Sequence, residues 1–75
     1  MTQKGKYMEK TFLKRWTDPV TVPEEILKMK TEYEAEGYSC KIKYATLVLE
    51  LQDGTVEIYW QDGAFWQMIR SNNED

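Results

Sequence analysis

The sequence contains no histidine, one cysteine and two prolines. Without histidine the chain lacks the usual acid–base group near neutral pH and the commonest metal ligand. Cys40 can form no disulfide within the chain, and one thiol cannot build a zinc site. We therefore expect no catalytic residues, no bound metal and no cofactor, and we expect Cys40 to be a buried structural thiol.

Long hydrophobic runs are also missing. No apolar stretch approaches the roughly 20 residues that cross a bilayer, and the N-terminal MTQKGKYMEK lacks the hydrophobic region of a secretory signal. We expect a cytoplasmic protein with no membrane partner, and a single free cysteine agrees with a reducing compartment.

The sequence has enough apolar residues for one small core. With 75 residues, of which 41% are hydrophobic and 31% charged, residues 1–75 fit a single globular domain. The polar ends, residues 1–6 and 71–75, are expected to be flexible. So small a domain has little room for a deep active site.

The rest of the chain is organised around residues 47–70, LVLELQDGTVEIYWQDGAFWQMIR. Asp53-Gly54 and Asp62-Gly63 each separate runs rich in β-branched and aromatic residues. Asp-Gly favours the type I′ turn of a two-residue hairpin, so this stretch predicts a three-stranded antiparallel meander.

The two turns predict which side chains share a face, because side chains alternate along a strand. The first face is predicted to be the core and carries Leu47, Leu49, Leu51, Val56, Ile58, Trp60, Phe65 and Ile69, interrupted only by Gln67. The second face carries Val48, Glu50, Gln52, Thr55, Glu57, Tyr59, Trp66, Met68 and Arg70. The expected pairs include Leu49 with Ile58, Glu50 with Glu57, and Tyr59 with Trp66.

The second face is unusual because its expected register places Glu50 opposite Glu57, and facing like charges destabilise a sheet. Another part of the chain could cover the aromatic side chains and leave the glutamates at the solvent-exposed edge of the covered area. Alternatively, the face binds a partner, since Tyr, Trp and Met are enriched in interface cores. A different register would remove the conflict. The predicted partner-binding residues on this face are Val48, Glu50, Glu57, Tyr59, Trp66 and Met68.

Residues 7–16, YMEKTFLKRW, fit either a strand or a helix. We favour a strand, because Thr17-Asp18-Pro19 then ends it with a turn. In either form, Met8, Phe12 and Trp16 are expected to cover the second face around Tyr59 and Trp66.

A helix is predicted between Thr21 and Gly37, with Ile26, Met29 and Tyr33 in one apolar stripe that Leu27 widens. Its start is a capping box of Thr21 and Glu24, or a Val22 cap followed by Pro23. At its end, Gly37 fits the left-handed stop of a Schellman motif, with Tyr38 against Tyr33.

Acidic residues gather at the end of this helix, where they oppose the helix dipole. Glu32, Glu34 and Glu36 form either a solvated face or an acidic patch for a basic partner. We include Glu32 and Glu36 among the predicted partner-binding residues.

The segment after the helix, YSCKIKYAT, has no turn residue and is expected to continue the first meander strand backwards. Parity then places Cys40, Ile42 and Tyr44 on the second face, and Lys41 and Lys43 on the first. The predicted fold is α+β: one amphipathic helix packed on an antiparallel meander of three to four strands, in the order β-α-β-β-β.

Charge is unevenly distributed along the chain. Residues 1–20 carry five basic and two acidic side chains, a net charge of +3, whereas the other 55 residues sum to −6. The basic arm could contact phosphate and the sheet aromatics could stack on bases. The nucleic-acid hypothesis assigns these contacts to Lys4, Lys6, Lys10, Lys14 and Arg15. The acidic pI of about 4.9 and the two glutamates of the second face oppose it.

These features favour a small non-catalytic protein-binding module, an inhibitor or adaptor that occludes a partner protein. Its small size and its simple architecture of one helix and a meander are typical of small inhibitors from phages and other mobile elements, although no shared motif supports that analogy. A nucleic-acid-binding module is the alternative. A homodimer that buries the second face against its copy is a third hypothesis.

Overall fold

The computed structural model describes residues 8–71, with side chains from Lys10 onward. One helix packs on a five-stranded antiparallel sheet whose strand order is β1-β5-β4-β3-β2. The expected α+β class is confirmed, although the sheet has five strands rather than three or four. The elements in chain order are β1 (Met8–Arg15), a 3₁₀ turn (Pro19–Thr21), α1 (Val22–Ala35), β2 (Ser39–Lys43), β3 (Thr46–Leu51), β4 (Gly54–Gln61) and β5 (Ala64–Ser71).

The ends of the chain lie largely outside the described residues. Of the segments expected to be flexible, 1–6 and 72–75 are not described, whereas Ser71 belongs to β5 and lies opposite Gly54. Within residues 8–71, no helix is long and apolar enough to span a bilayer.

The second predicted hairpin is confirmed in its turn and its register. Asp62 and Gly63 have φ of 53° and 75°, as a type I′ turn requires. The β4–β5 ladder places Tyr59 opposite Trp66, as expected.

The first hairpin turns one residue earlier than expected, and this shifts its pairing register by two residues. Leu51 pairs with Gly54 and Leu49 with Val56, so the loop is Gln52-Asp53. Gly54 instead lies in β4, where an added Cβ would collide with the carbonyl oxygen of Arg70 in β5. A shift of two residues preserves the alternation of faces, so Leu49 and Ile58 share the helix side of the sheet as expected.

β2 is a separate strand, and its predicted continuity with β3 is wrong. Tyr44 and Ala45 have φ of 51° and 65° and form a two-residue turn between the strands. Because the chain reverses there, the predicted parity reverses too. Cys40 and Ile42 lie opposite Leu49 and Leu47 on the helix side, as the ladder shows. Lys41 and Lys43 lie on the other face.

The helix begins without the predicted capping box. The N-cap Thr21 makes no side-chain cap hydrogen bond. Its hydroxyl accepts a hydrogen bond from Trp16 Nε1 at 3.1 Å and donates to the Asp18 carbonyl at 3.3 Å. The preceding 3₁₀ turn has its own cap, since the Asp18 carboxylate accepts from the Val20 amide. The threonine therefore connects the helix to Trp16.

The helix ends in the predicted Schellman motif. Gly37 has φ of 102°, and its amide donates to the Glu34 carbonyl. The Tyr38 amide donates to the Tyr33 carbonyl, and the two tyrosine rings meet edge to face at 5.9 Å.

The core lies between α1 and the sheet. Leu27 does not join it and is 56% exposed, contrary to the prediction. Leu51 and Ile69 are on the core side of the sheet but are 37% and 42% exposed, because a 14-residue helix is only about 21 Å long and leaves the strand ends uncovered. The buried core residues are Val22, Ile26, Met29, Leu47, Leu49, Ile58 and Phe65.

β1 extends the sheet beside β5 instead of covering it. The predicted strand is confirmed, but the predicted cover of the second face by Phe12 and Trp16 is wrong. A bulge between Phe12 and Lys14 shifts the register, so Lys14 lies opposite Phe65 on the helix side. Trp16 follows it there and packs on Phe65 at 5.9 Å between ring centroids. The Met8 side chain lies outside the described part of the chain.

Candidate partner-binding face

The sheet face opposite α1 is covered by no other element of residues 8–71, because the single helix packs on the other side. We call it the open face. The residues that the ladders assign to it include Lys10, Phe12, Arg15, Lys41, Lys43, Thr46, Val48, Glu50, Thr55, Glu57, Tyr59, Trp66, Met68 and Arg70.

Three aromatic side chains lie side by side on the open face. Phe12 and Tyr59 are the partners of Trp66 on the two neighbouring strands. The Phe12 ring meets the Trp66 ring edge to face at 5.7 Å, an arrangement that aromatic pairs prefer. Phe12 remains 54% exposed. The group therefore presents an apolar surface to solvent.

Hydrogen bonds orient Trp66 and the cation above it. Trp66 Nε1 donates to the Gln61 carbonyl at 2.8 Å. Lys10 Nζ donates to Gln61 Oε1 at 2.8 Å and lies 4.5 Å from the centroid of the Trp66 ring. A cation at this distance over an aromatic ring is attracted to it by about 0.5–1 kcal/mol at an exposed site. These contacts fix the position of the Trp66 ring relative to Lys10 and Gln61.

Beside the aromatic group, the open face has a shallow depression of about 240 Å³. 

A larger cavity, of about 380 Å³, lies on the helix side of the sheet. The depression on the open face is lined by Lys43, Tyr44, Thr46, Val48 and Glu57. Val48 forms its apolar floor and is 8% exposed. A small apolar side chain of a partner could enter here.

The two glutamates of the open face do not oppose each other. Glu50 lies opposite Thr55, and Glu57 lies opposite Val48. Each carboxylate has a basic neighbour: the Glu50–Lys41 distance is 3.1 Å and the Glu57–Arg70 distance is 3.8 Å. Exposed pairs of this kind contribute at most about 1 kcal/mol, but they remove the like-charge conflict that the sequence suggested.

The open face is basic although the whole protein is acidic. It carries five basic side chains and two carboxylates, a net charge of +3, whereas the chain has a net charge of −3. Among the described residues, Lys43 has no ion-pair partner. The acidic residues are concentrated in and just after α1 on the other side of the molecule. A partner of this face is therefore expected to carry negative charge.

The structure brings together one of the two predicted groups of partner-binding residues. Val48, Glu50, Glu57, Tyr59, Trp66 and Met68 all lie on the open face. Glu32 and Glu36 do not; they line a separate cleft between β1 and α1, of about 310 Å³, with Leu13, Lys14, Met29 and Tyr33. Burial raises the pKa of Tyr33, and the Glu36 carboxylate raises it further.

The basic residues of the nucleic-acid hypothesis are also divided. Lys10 and Arg15 lie on the open face. Lys14 lies on the helix side, where its ammonium pairs with the carboxylate of Glu25, which is only 6% exposed. Lys4 and Lys6 lie outside the described residues.

Sequence reasoning did not assign several residues to the open face, among them Lys41, Lys43 and Phe12. Lys41 and Lys43 were assigned to the opposite side because the Tyr44-Ala45 turn contains neither glycine nor asparagine. Phe12 was predicted to cover the face. Once β1 is known to join the sheet, Phe12 and Lys10 must share one side of it, because every second residue of a strand points the same way.

The site offers binding surfaces, and its chemistry is limited. Cys40 is partly buried against the core on the helix side. Burial raises the pKa of its thiol, and the Glu34 carboxylate adds to the effect, so the thiol stays protonated near neutral pH. Among residues 8–71, no group of three or more Cys, Asp or Glu residues is placed to hold a metal ion.

Comparisons with known proteins add no functional assignment to this geometry. No family model, no curated protein and no solved structure matches the chain.

Proposed function

We propose that the protein is a small non-catalytic protein-binding module that acts by covering a surface of its partner with the open face. The observation that carries the proposal is the group of adjoining aromatic side chains, Phe12, Tyr59 and Trp66, on a sheet face that no described element covers. Tyr and Trp are the residues that most often dominate the energy of protein interfaces.

The chemistry of the partner follows from the charge and shape of this face. Lys10, Arg15 and Lys43 surround apolar side chains, so a complementary surface has an apolar centre and an acidic margin. The depression over Val48 suits one protruding aliphatic side chain. A rigid sheet presents these groups at little entropic cost.

Occlusion is the mode of action that a flat face supports best. The described part of this face has no deep cleft. The small domain resembles the inhibitors of phages and other mobile elements in its size and in its simple architecture. We propose an inhibitor or adaptor, acting in the cytoplasm, where the unpaired thiol of Cys40 stays reduced.

A binding comparison tests the proposal. The tagged protein is compared with Tyr59→Ala/Trp66→Ala by pull-down from cells of the natural source, with partners quantified by mass spectrometry. Loss of two central aromatic side chains is expected to weaken binding by more than about 100-fold. Circular dichroism verifies that the variant is folded.

Tyr38→Ala is the matched control, because Tyr38 is also an exposed aromatic residue but lies at the end of α1. Its partners should be those of the wild type. If the folded double variant retains the same partners at the same level, the open face is not the binding surface.

Single-stranded nucleic acid is the second candidate, and it is favoured by one observation: Lys41 and Lys43 lie on the same face as the aromatic group. Stacking on exposed aromatic rings contributes about 1–3 kcal/mol per base. This alternative predicts that labelled single strands bind at low salt, that added salt weakens the binding, and that Trp66→Ala abolishes it. A homodimer through the open face instead predicts twice the monomer mass by light scattering.

A further inference from the structure

We propose a second docking site, in which the free edge of β2 accepts an extended peptide whose residues alternate between apolar and acidic. β2 is the last strand of the sheet, so one side of its backbone has no neighbouring strand in residues 8–71. An exposed edge can be extended by a peptide strand, with backbone hydrogen bonds giving affinity and side-chain pockets giving specificity.

The ladder indicates which backbone groups are free. The two-residue turn at Tyr44-Ala45 closes on the pair Lys43 and Thr46, and hydrogen-bonded pairs alternate from there. The N–H and C=O groups of Cys40 and Ile42 therefore point away from β3. An added strand would bond to these four groups.

On the helix side, this edge has an apolar groove. The groove has a volume of about 380 Å³ and lies between the first turns of α1 and the β2–β3 hairpin. Leu27 at its margin is 56% exposed and Ile42 is 39% exposed. The residues that line it are Val22, Pro23, Ile26, Leu27, Ile42 and Ala45. Every second side chain of an added strand would point toward this groove.

On the open-face side, the same edge carries two lysines. Lys41 pairs with Glu50, whereas Lys43 has no ion-pair partner among the described residues. The side chains of an added strand that point this way would meet Lys43 first, and carboxylates complement it. The two sides of the edge thus select an alternation of apolar and acidic residues.

A second copy of this chain is the less suitable occupant. If β2 paired with β2 of another copy to extend the sheet, Lys41 and Lys43 of both copies would lie on one face beside each other. Lysines on an edge strand discourage such self-pairing. The same lysines would favour an acidic strand.

The test uses a fluorescent peptide of four alternating glutamate–valine pairs, N-methylated along one edge so that it cannot assemble with itself. We expect it to bind the full-length protein and to slow amide hydrogen exchange at Cys40 and Ile42. Lys43→Glu should weaken this peptide about tenfold and improve binding of the lysine–valine counterpart. Leu27→Glu should also weaken it, by placing a charge at the groove.

Several results would overturn the proposal. One is no binding at millimolar peptide. Another is equal binding of the glutamate–valine peptide by the wild type and Lys43→Glu. The third is protection of Cys40 and Ile42 without peptide, together with dimerisation in light scattering. Tyr59→Ala/Trp66→Ala serves as the control, and it should leave peptide binding unchanged. If the peptide test fails, the proposed function of the open face is therefore unaffected. If the open-face binding comparison fails, the proposal for the β2 edge is unaffected.

Discussion

Gly54→Ala is expected to destabilise the protein by roughly 3 kcal/mol, at the upper end of what overpacking costs. The added methyl group would meet the Arg70 carbonyl oxygen and lie 3.1 Å from Ser71 Cα. Both are backbone atoms of a paired strand, so neither can move without disturbing the β4–β5 ladder. Thermal unfolding monitored by circular dichroism should show a loss of about 12–24 °C in Tm.

Gly63→Ala provides the comparison that makes the result specific. Gly63 has φ of 75°, and an added Cβ would meet only Thr17 Cγ2, at 4.0 Å. Its substitution should cost about 1–2 kcal/mol, the strain of a left-handed alanine. Asparagine tolerates that conformation, so Gly63→Asn should recover much of the loss and Gly54→Asn should not. Equal behaviour of the two glycines would mean that both Asp-Gly pairs form the same turn, contrary to the structure.

Phe65→Ala is expected to cost about 3–5 kcal/mol, because it opens a cavity in the core. Phe65 is fully buried and packs against Trp16 on the helix side. A 75-residue domain has a total stability of only about 4–11 kcal/mol. The loss is therefore a large part of the total stability, and the midpoint of urea unfolding measures it.

Phe12→Ala is the matched control on the open face. It removes the same atoms, but Phe12 is 54% exposed and its main contact is the Trp66 ring. We expect a loss of no more than about 1.5 kcal/mol, the value of an aromatic pair. A loss comparable to that of Phe65→Ala would mean that Phe12 is buried in solution and that the face is covered.

Much of the fold could be predicted from local signals. Asp62-Gly63 forms the expected turn, and the Schellman motif forms at Gly37 because only glycine adopts φ near 102° without strain. The faces of β3 and β4 were also predicted correctly, since the register error was two residues and alternation has a period of two. The apolar face of the sheet was therefore identified even though the β3–β4 pairs were not.

The errors arose where the structure departs from the local preference of the sequence. Gly54 lies where the backbone of β5 leaves no room for a side chain, so glycine is needed there for its size and not for positive φ in a turn. Tyr44 and Ala45 adopt positive φ without any turn signature in the sequence. Thr21 bonds to Trp16 instead of capping the helix. None of these three features has a signature in the neighbouring sequence.

The hidden turn at Tyr44-Ala45 also changed the functional interpretation. It moved Lys41 and Lys43 to the open face and gave Glu50 a basic partner. The sequence predicted two glutamates and one arginine as the charged residues of this face, whereas in the structure the face has a net charge of +3. The partner proposed for this face therefore has an acidic margin, whereas the sequence had left the partner's charge open for this face.

Site-specific photo-crosslinking tests most directly whether the open face binds a protein. A benzophenone side chain is placed at Tyr59, at the centre of the face, and separately at Lys28, an exposed residue of α1 on the other side. We predict a protease-sensitive adduct with another protein from position 59 and none from position 28. No adduct at position 59, the same adduct from both positions, a nuclease-sensitive adduct, or a product of twice the monomer mass would contradict the account.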